Sequence, residues 1–108
     1  MSQIFKKNIP KEYLFNFLSK CCDLNNDKYT FSKSSYKKAK FDKIVEPFCI
    51  SLKEFYFKSK YFYVERNMTY KNLITIIRQI CKYNNIPFTS DIKYSKSKYD
   101  ITYFIFQD

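Results

Sequence analysis

Apolar residues spaced three and four apart in two long segments, followed by apolar residues on alternate positions near the C-terminus, predict an α+β domain. The expected architecture is a small helical body carrying a C-terminal β-hairpin. Pro10 and the NNIP run at 84–87 punctuate these segments, where breaks in regular structure belong. The 108 residues fit one domain, with 1–9 as a basic, flexible lead-in. A chain of this size removes roughly 65% of its unfolded surface from water on folding. Apolar residues make up 45% of it and aromatic ones 21%, spread along the whole length, which argues against disorder.

Each element follows from local chemistry. Pro10 suits the first turn of a helix over 10–22, because its missing N–H has no intrahelical partner to lose, and Leu14, Phe17, Leu18 and Cys21 form its apolar stripe. The polar stretch DLNNDK ends that helix, and YTFS at 29–32 alternates aromatic residues as a short strand does. Within SKSSYKKAKFDKIVEPF, Ser or Asp residues cap one or two helices. With Asp42 as a cap, Pro47 falls near the end of a first turn. Ile44, Phe48, Leu52, Phe55 and Phe62 then trace one stripe, and Ile50, Phe57 and Tyr61 trace another. Two stripes predict a helix covered on both sides, or else a surface that mates with a protein partner or a second copy in a homodimer. KSKYFYVERNMT fits helix or strand.

Thr69 is the expected N-cap of a helix over 69–84, whose buried stripe is Leu73, Ile76, Ile77 and Ile80 and whose opposite side carries Lys71, Thr75, Arg78, Gln79 and Lys82. Asn tolerates the left-handed turn that stops a helix, and Pro87 prevents its continuation. Phe88, Ile92 and Tyr94 fall on one face of a strand, and Tyr99, Ile101, Tyr103 and Ile105 on one face of the next, with SKSK at 95–98 as the hairpin tip.

Helix, strand, helices, then a hairpin with a basic tip is the order of a winged helix-turn-helix-like domain, in which the helix before the hairpin enters the major groove. On that expectation Lys71, Arg78 and Lys82 reach phosphates or guanine edges, Gln79 pairs with adenine, and Thr75 meets a phosphate or a thymine methyl. Lys96 and Lys98 add phosphate contacts from the hairpin tip, and Lys37, Lys38 and Lys40, beside Lys33, form a second basic cluster. The net charge of +10 favours a polyanionic partner, nucleic acid first and an anionic membrane surface second. Codon composition offers another origin for that charge. The chain has no Gly, His or Trp, Ala39 is its only alanine, and Arg66 and Arg78 are its only arginines, a profile that A/T-rich codons alone would produce.

Catalysis is poorly supplied. Without His there is no ordinary general base near neutral pH and no Ser-His or Cys-His pair, and without Gly there is no usual phosphate-cradling loop. SDIK, with Asp91 and Lys93, and Asp100 on the neighbouring strand resemble a fragment of a metal-dependent nuclease motif, a pattern that polar strand faces produce routinely. Cys21, Cys22, Cys49 and Cys81 have no zinc spacing, so no metal or other cofactor is expected, and reduced thiols in a cytoplasm-like compartment are. No apolar run approaches the roughly 20 residues of a membrane span.

IPKEYLFNFLSKCC, SYKKAKFD and, above all, YVERNMTYKNLITIIRQICKYNNIPFTSDIKYSKSKYDITYFI resemble a set of small, lysine- and tyrosine-rich proteins encoded, often in several copies, by giant nucleocytoplasmic DNA viruses. The resemblance spans nearly the whole chain. It implies a viral origin in an A/T-rich genome and synthesis in host cytoplasm, with residence there, in the viral factory or in the virion, but it transfers no catalytic or binding residue. Two expectations stand together: a non-enzymatic viral nucleic-acid-binding protein in genome organisation or gene expression, or a structural or host-interaction protein of the virion or viral factory.

Overall fold

Pro10, in extended backbone at φ −70° and ψ 139°, sets the start of the first helix of the computed structural model, which describes residues 9–56, 68–96 and 98–107. Helix α1, Lys11–Cys21, buries Leu14, Phe15, Phe17, Leu18 and Cys21. Two short antiparallel strands come next, β1 at Leu24–Asn25 and β2 at Lys28–Phe31. The stretch DLNNDK thus does more than break a helix. Asn26 and Asp27 both take positive φ, the backbone of the tight hairpin turn whose twist matches the flanking strands.

Ser32 caps helix α2, Lys33–Phe41, in a reciprocal box with Ser35: each serine hydroxyl accepts the other's backbone N–H. Asp42 is the C-cap of α2 and not an N-cap for the next helix, because its carboxylate is taken by Lys38 at 2.9 Å. Lys43 is left-handed at φ 56°, and the N–H groups of Lys43 and Ile44 bond back to Lys40 and Ala39. That closed C-terminal turn reverses the chain into helix α3, Val45–Phe55, which has no side-chain cap and holds Pro47 in its first turn.

Helix α3 corrects the expectation of a helix covered on both sides. Phe48, Cys49 and Leu52 are buried, but Ile50 and Phe55 are exposed, because α1 covers one side only: Phe17 stacks on Phe48 at 4.1 Å, and Tyr13 meets Phe48 and Tyr56. Phe57, Tyr61 and Phe62 of the expected stripes, and YFYV, lie outside the described residues.

Helix α4, Tyr70–Tyr83, starts at Thr69, whose hydroxyl accepts the Asn72 N–H at 3.1 Å. It stops at Asn84 and left-handed Asn85, with the N–H groups of Asn85 and Ile86 bonded to the carbonyls of Lys82 and Cys81. The caps thus define the ends of the helix expected over 69–84. Strands β3, Phe88–Ser95, and β4, Lys98–Phe106, then form the hairpin.

One antiparallel sheet in the order β1-β2-β4-β3 results, with Phe31 opposite Tyr103, Phe88 opposite Ile105 and Ile92 opposite Ile101. Its inner face, made by Tyr29, Phe31, Phe88, Tyr103 and Ile105, packs on the helices. Phe15 of α1 stacks on Tyr29, and Tyr70 of α4 stacks on Phe31 while its hydroxyl donates to the Ile101 carbonyl. Tyr36 of α2 donates its hydroxyl to the Met68 carbonyl and meets Tyr70 edge-on.

Leu73, Ile77 and Ile80 have no exposed surface, and each buried aliphatic side chain of this size contributes about 1.5–3 kcal/mol. Ile77→Ala is expected to lower unfolding free energy by about 2–5 kcal/mol in urea titrations, whereas Thr75→Ala, on the exposed side, should change it by about 0.5 kcal/mol or less. Equal losses would show that the helix is rotated from its assigned orientation.

Candidate nucleic-acid interface

The helical repeat turns one side of α4 outward. Lys71, Thr75, Arg78 and Lys82 are exposed and share that side, while Gln79 is half buried at its margin. Thr75 donates its hydroxyl to the Lys71 carbonyl at 3.1 Å, which ties the side chain to its own helix. Arg78 lies on the border nearest the sheet, and its guanidinium covers the Phe88 ring at 5.3 Å. Such a stacked cation contributes about 0.5–1 kcal/mol where it is exposed. Arg78, Lys82, Phe88, Thr89 and Ser90 line an open groove between the end of α4 and the base of β3.

The lysines differ in their surroundings. Lys96 and Lys98 are exposed at the hairpin tip, where Lys96 is left-handed at φ 45°. On α2, Lys38 points to Asp42, and this carboxylate raises its pKa through a hydrogen bond and charge attraction. Lys33 pairs with Asp100 at 3.0 Å. Lys40 lies over the Tyr36 ring at 5.6 Å, and Lys37 is exposed. Lys33 and Lys38 are therefore the members of the basic cluster diverted from an external anion by a carboxylate of the chain itself.

Charge is not confined to the side of α4. Helices α1 and α3 carry both signs, through Lys11, Glu12 and Lys20 on one and Glu46, Lys53 and Glu54 on the other. The charged residues of α2 and α4 are all positive, and no Asp or Glu occurs from residue 66 to 90. The acidless run covers all of α4 and the groove residues up to Ser90, and Asp91 follows it directly.

Sequence patterning missed the outer half of the hairpin. Ile92, Tyr94 and Tyr99, expected on apolar strand faces, are 46%, 80% and 59% exposed. Tyr70 at the start of α4 reaches only as far as the Ile101 carbonyl, so the strands beyond Ile92 and Ile101 overhang the helix beneath them. Strand length was the available signal. A strand advances about 3.3 Å per residue and a helix about 1.5 Å, so a long hairpin outruns the helix that covers it.

On β3 and β4, Asp91 faces Thr102 and Lys93 faces Asp100, whose carboxylate pairs with Lys33. Among the described residues no group of three or more Cys, Asp or Glu side chains is placed to hold a metal. The four cysteines are unbridged thiols, with Cys21 and Cys22 sulfurs 3.6 Å apart. The shared contact and burial raise the Cys22 pKa. Burial pushes Cys49 and Cys81 up to about 12. Among the described residues no helix is long and apolar enough to cross a membrane. The chain has no significant match among protein-family models, curated proteins or solved structures.

Folding raises the pKa values of Cys49 and Cys81 from about 9 to about 12, so the unfolded chain releases these protons first. Their contribution to stability is complete below pH 9 and is expected to decline as pH climbs toward 12 by up to about 1.4 kcal/mol per pH unit for each thiol. Urea unfolding between pH 8 and 11 would measure this slope. The slope should shrink in a Cys49→Ala, Cys81→Ala double variant; an unchanged slope would assign it to other groups.

Proposed function

We propose that the protein is a non-enzymatic nucleic-acid-binding domain of winged helix-turn-helix type, with DNA as its ligand, α4 as the helix presented to the major groove and the β3–β4 tip as the wing. The observation that carries this reading is the acidless outer side of α4: Lys71, Thr75, Arg78 and Lys82 stand together on a helix whose opposite side is locked into the core. A helix with outward cations suits phosphate contacts better than a mobile loop does, because its backbone is already ordered and only the side chains must be ordered on binding. Sheet order supports the same reading, since β2 pairs with β4 and so holds the hairpin beside the helix that precedes it.

The sequence resemblance to proteins of giant nucleocytoplasmic DNA viruses supports a role in genome organisation or gene expression in host cytoplasm or the viral factory. A structural or host-interaction role remains the second reading. Phe41, Ile50 and Phe55 favour it, being 86%, 40% and 50% exposed on α2 and α3, away from the cationic side of α4.

Contacts made mainly by lysine and arginine release counterions, so affinity for duplex DNA is expected to fall linearly with salt on logarithmic axes. Arg78→Ala should weaken binding by about 1–3 kcal/mol, while removing only the Phe88 stacking from stability. Lys96→Ala and Lys98→Ala should each reduce the salt slope by roughly one unit regardless of sequence. Electrophoretic shifts across a salt series, on duplex, single-stranded and RNA probes, would measure all three. If wild type shows no salt-dependent shift on any probe, the exposed side of α4 is merely solvated and the protein-interaction reading takes its place.

A further inference from the structure

We infer that the inner face of the overhanging hairpin, formed by Ile92, Tyr94 and Tyr99, receives unpaired bases, so that the preferred ligand is nucleic acid in which a duplex opens into single strand. This rests on the nucleic-acid-binding reading of α4 and names the form of nucleic acid that the same surface takes. The two tyrosine rings face each other across the strands at Tyr94 opposite Tyr99, with centroids 6.1 Å apart and planes at 47°. Ile92 lies one step inward on the same face of β3, and Phe88, under Arg78, lies at its base. The apolar overhang and the cationic groove of α4 are therefore parts of one continuous face.

The opposite face of the same strands is charged. Lys93 stands opposite Asp100, and Asp100 pairs with Lys33. The hairpin thus separates a salt-bridged side, which by strand alternation also carries Lys98, from an aromatic side, with Lys96 at the tip.

Charge selects the occupant. A second copy of the chain would bring another +10 toward the tip lysines, whereas a nucleic-acid strand brings phosphates to them and flat π-faces to the rings. Within a duplex the interior π-faces are occupied by neighbouring bases, so away from a blunt end a base must be unpaired to stack on a tyrosine. The acidless side of α4 would hold the double-stranded part while the overhang holds the single-stranded part.

The test compares three probes by fluorescence anisotropy: a blunt DNA duplex, the same duplex with a single-stranded tail, and the tail alone. Wild type is expected to bind the tailed duplex more tightly than the blunt one, with each stacked base contributing roughly five- to hundred-fold. Tyr94→Ala combined with Tyr99→Ala should remove that preference and leave blunt-duplex affinity within about twofold. Tyr94→Phe with Tyr99→Phe should keep the preference, because the ring and not the hydroxyl makes the contact. These side chains are exposed, and unchanged circular dichroism and melting would show that the variants fold. Equal affinity of wild type for blunt and tailed duplex overturns this inference and leaves the α4 reading standing. Failure to bind any probe overturns both. Sedimentation showing a dimer that the alanine pair dissolves, with no tail preference, overturns it in favour of a second copy of the chain.

Discussion

Pairing of β2 with β4 is the contact on which the rest of the architecture depends. It joins Lys28–Phe31 to Tyr103–Phe106, segments from opposite ends of the chain, and every helix after α1 lies in the loop it closes. Neither strand has this neighbour without the other. If the pair opens, β1 and β2 become an isolated hairpin too short to persist, and the β3–β4 hairpin keeps only its side-chain contacts to the helices. The N–H groups of Phe106 and Gln107 extend the closure by bonding to the carbonyls of Pro87 and Asp27. A link of such long sequence separation costs loop-closure entropy before it contributes binding energy, a topology that folds more slowly than a simple helical bundle.

Tyr70 turns that closure into placement. Its ring lies against Phe31, Tyr36 and Tyr103, and its hydroxyl holds the Ile101 carbonyl, so one side chain at the first turn of α4 touches α2, β2 and β4. Burial pushes its pKa up to about 12, in keeping with a phenol that works as a neutral donor. The outer side of α4 and the hairpin are consequently referenced to the same point. Tyr70 thus fixes the hairpin relative to the helix that precedes it.

Much of this geometry is legible in residue order because the informative signals are local. Thr69 as a cap, the Leu73, Ile76, Ile77, Ile80 stripe and the Asn84-Asn85 stop each act within a few residues of where they stand. The side shared by Lys71, Thr75, Arg78 and Lys82 comes from the same periodicity. Asp42 was illegible because the same residue type can open a helix or close one, and the choice fell to Lys38, four residues earlier. Strand β1 was hidden by its brevity and by a turn made of ordinary polar residues. Exposure of Tyr94 and Tyr99 was illegible for a different reason, and that of Ile50 stood as one of two alternatives: alternation and helical spacing define a face, but whether another element covers it depends on lengths and packing elsewhere in the chain.

The closed ends of α2 and α4 put left-handed backbone where glycine is the usual solution, in a chain that has no glycine. Asn26, Asp27 and Asn85 tolerate that conformation through their short polar side chains. Lys43 and Lys96 lack this relief, and each carries about 1 kcal/mol of backbone strain. Some of the thermodynamic headroom of the domain therefore sits in its reversals. Residue 43, on the corner between α2 and α3, can change without disturbing the outer side of α4, whereas residue 96 occupies the hairpin tip, where strain and cationic charge share one position. Relief of backbone strain at the corner leaves the charges of α4 untouched, whereas relief at residue 96 alters the charge of the hairpin tip as well.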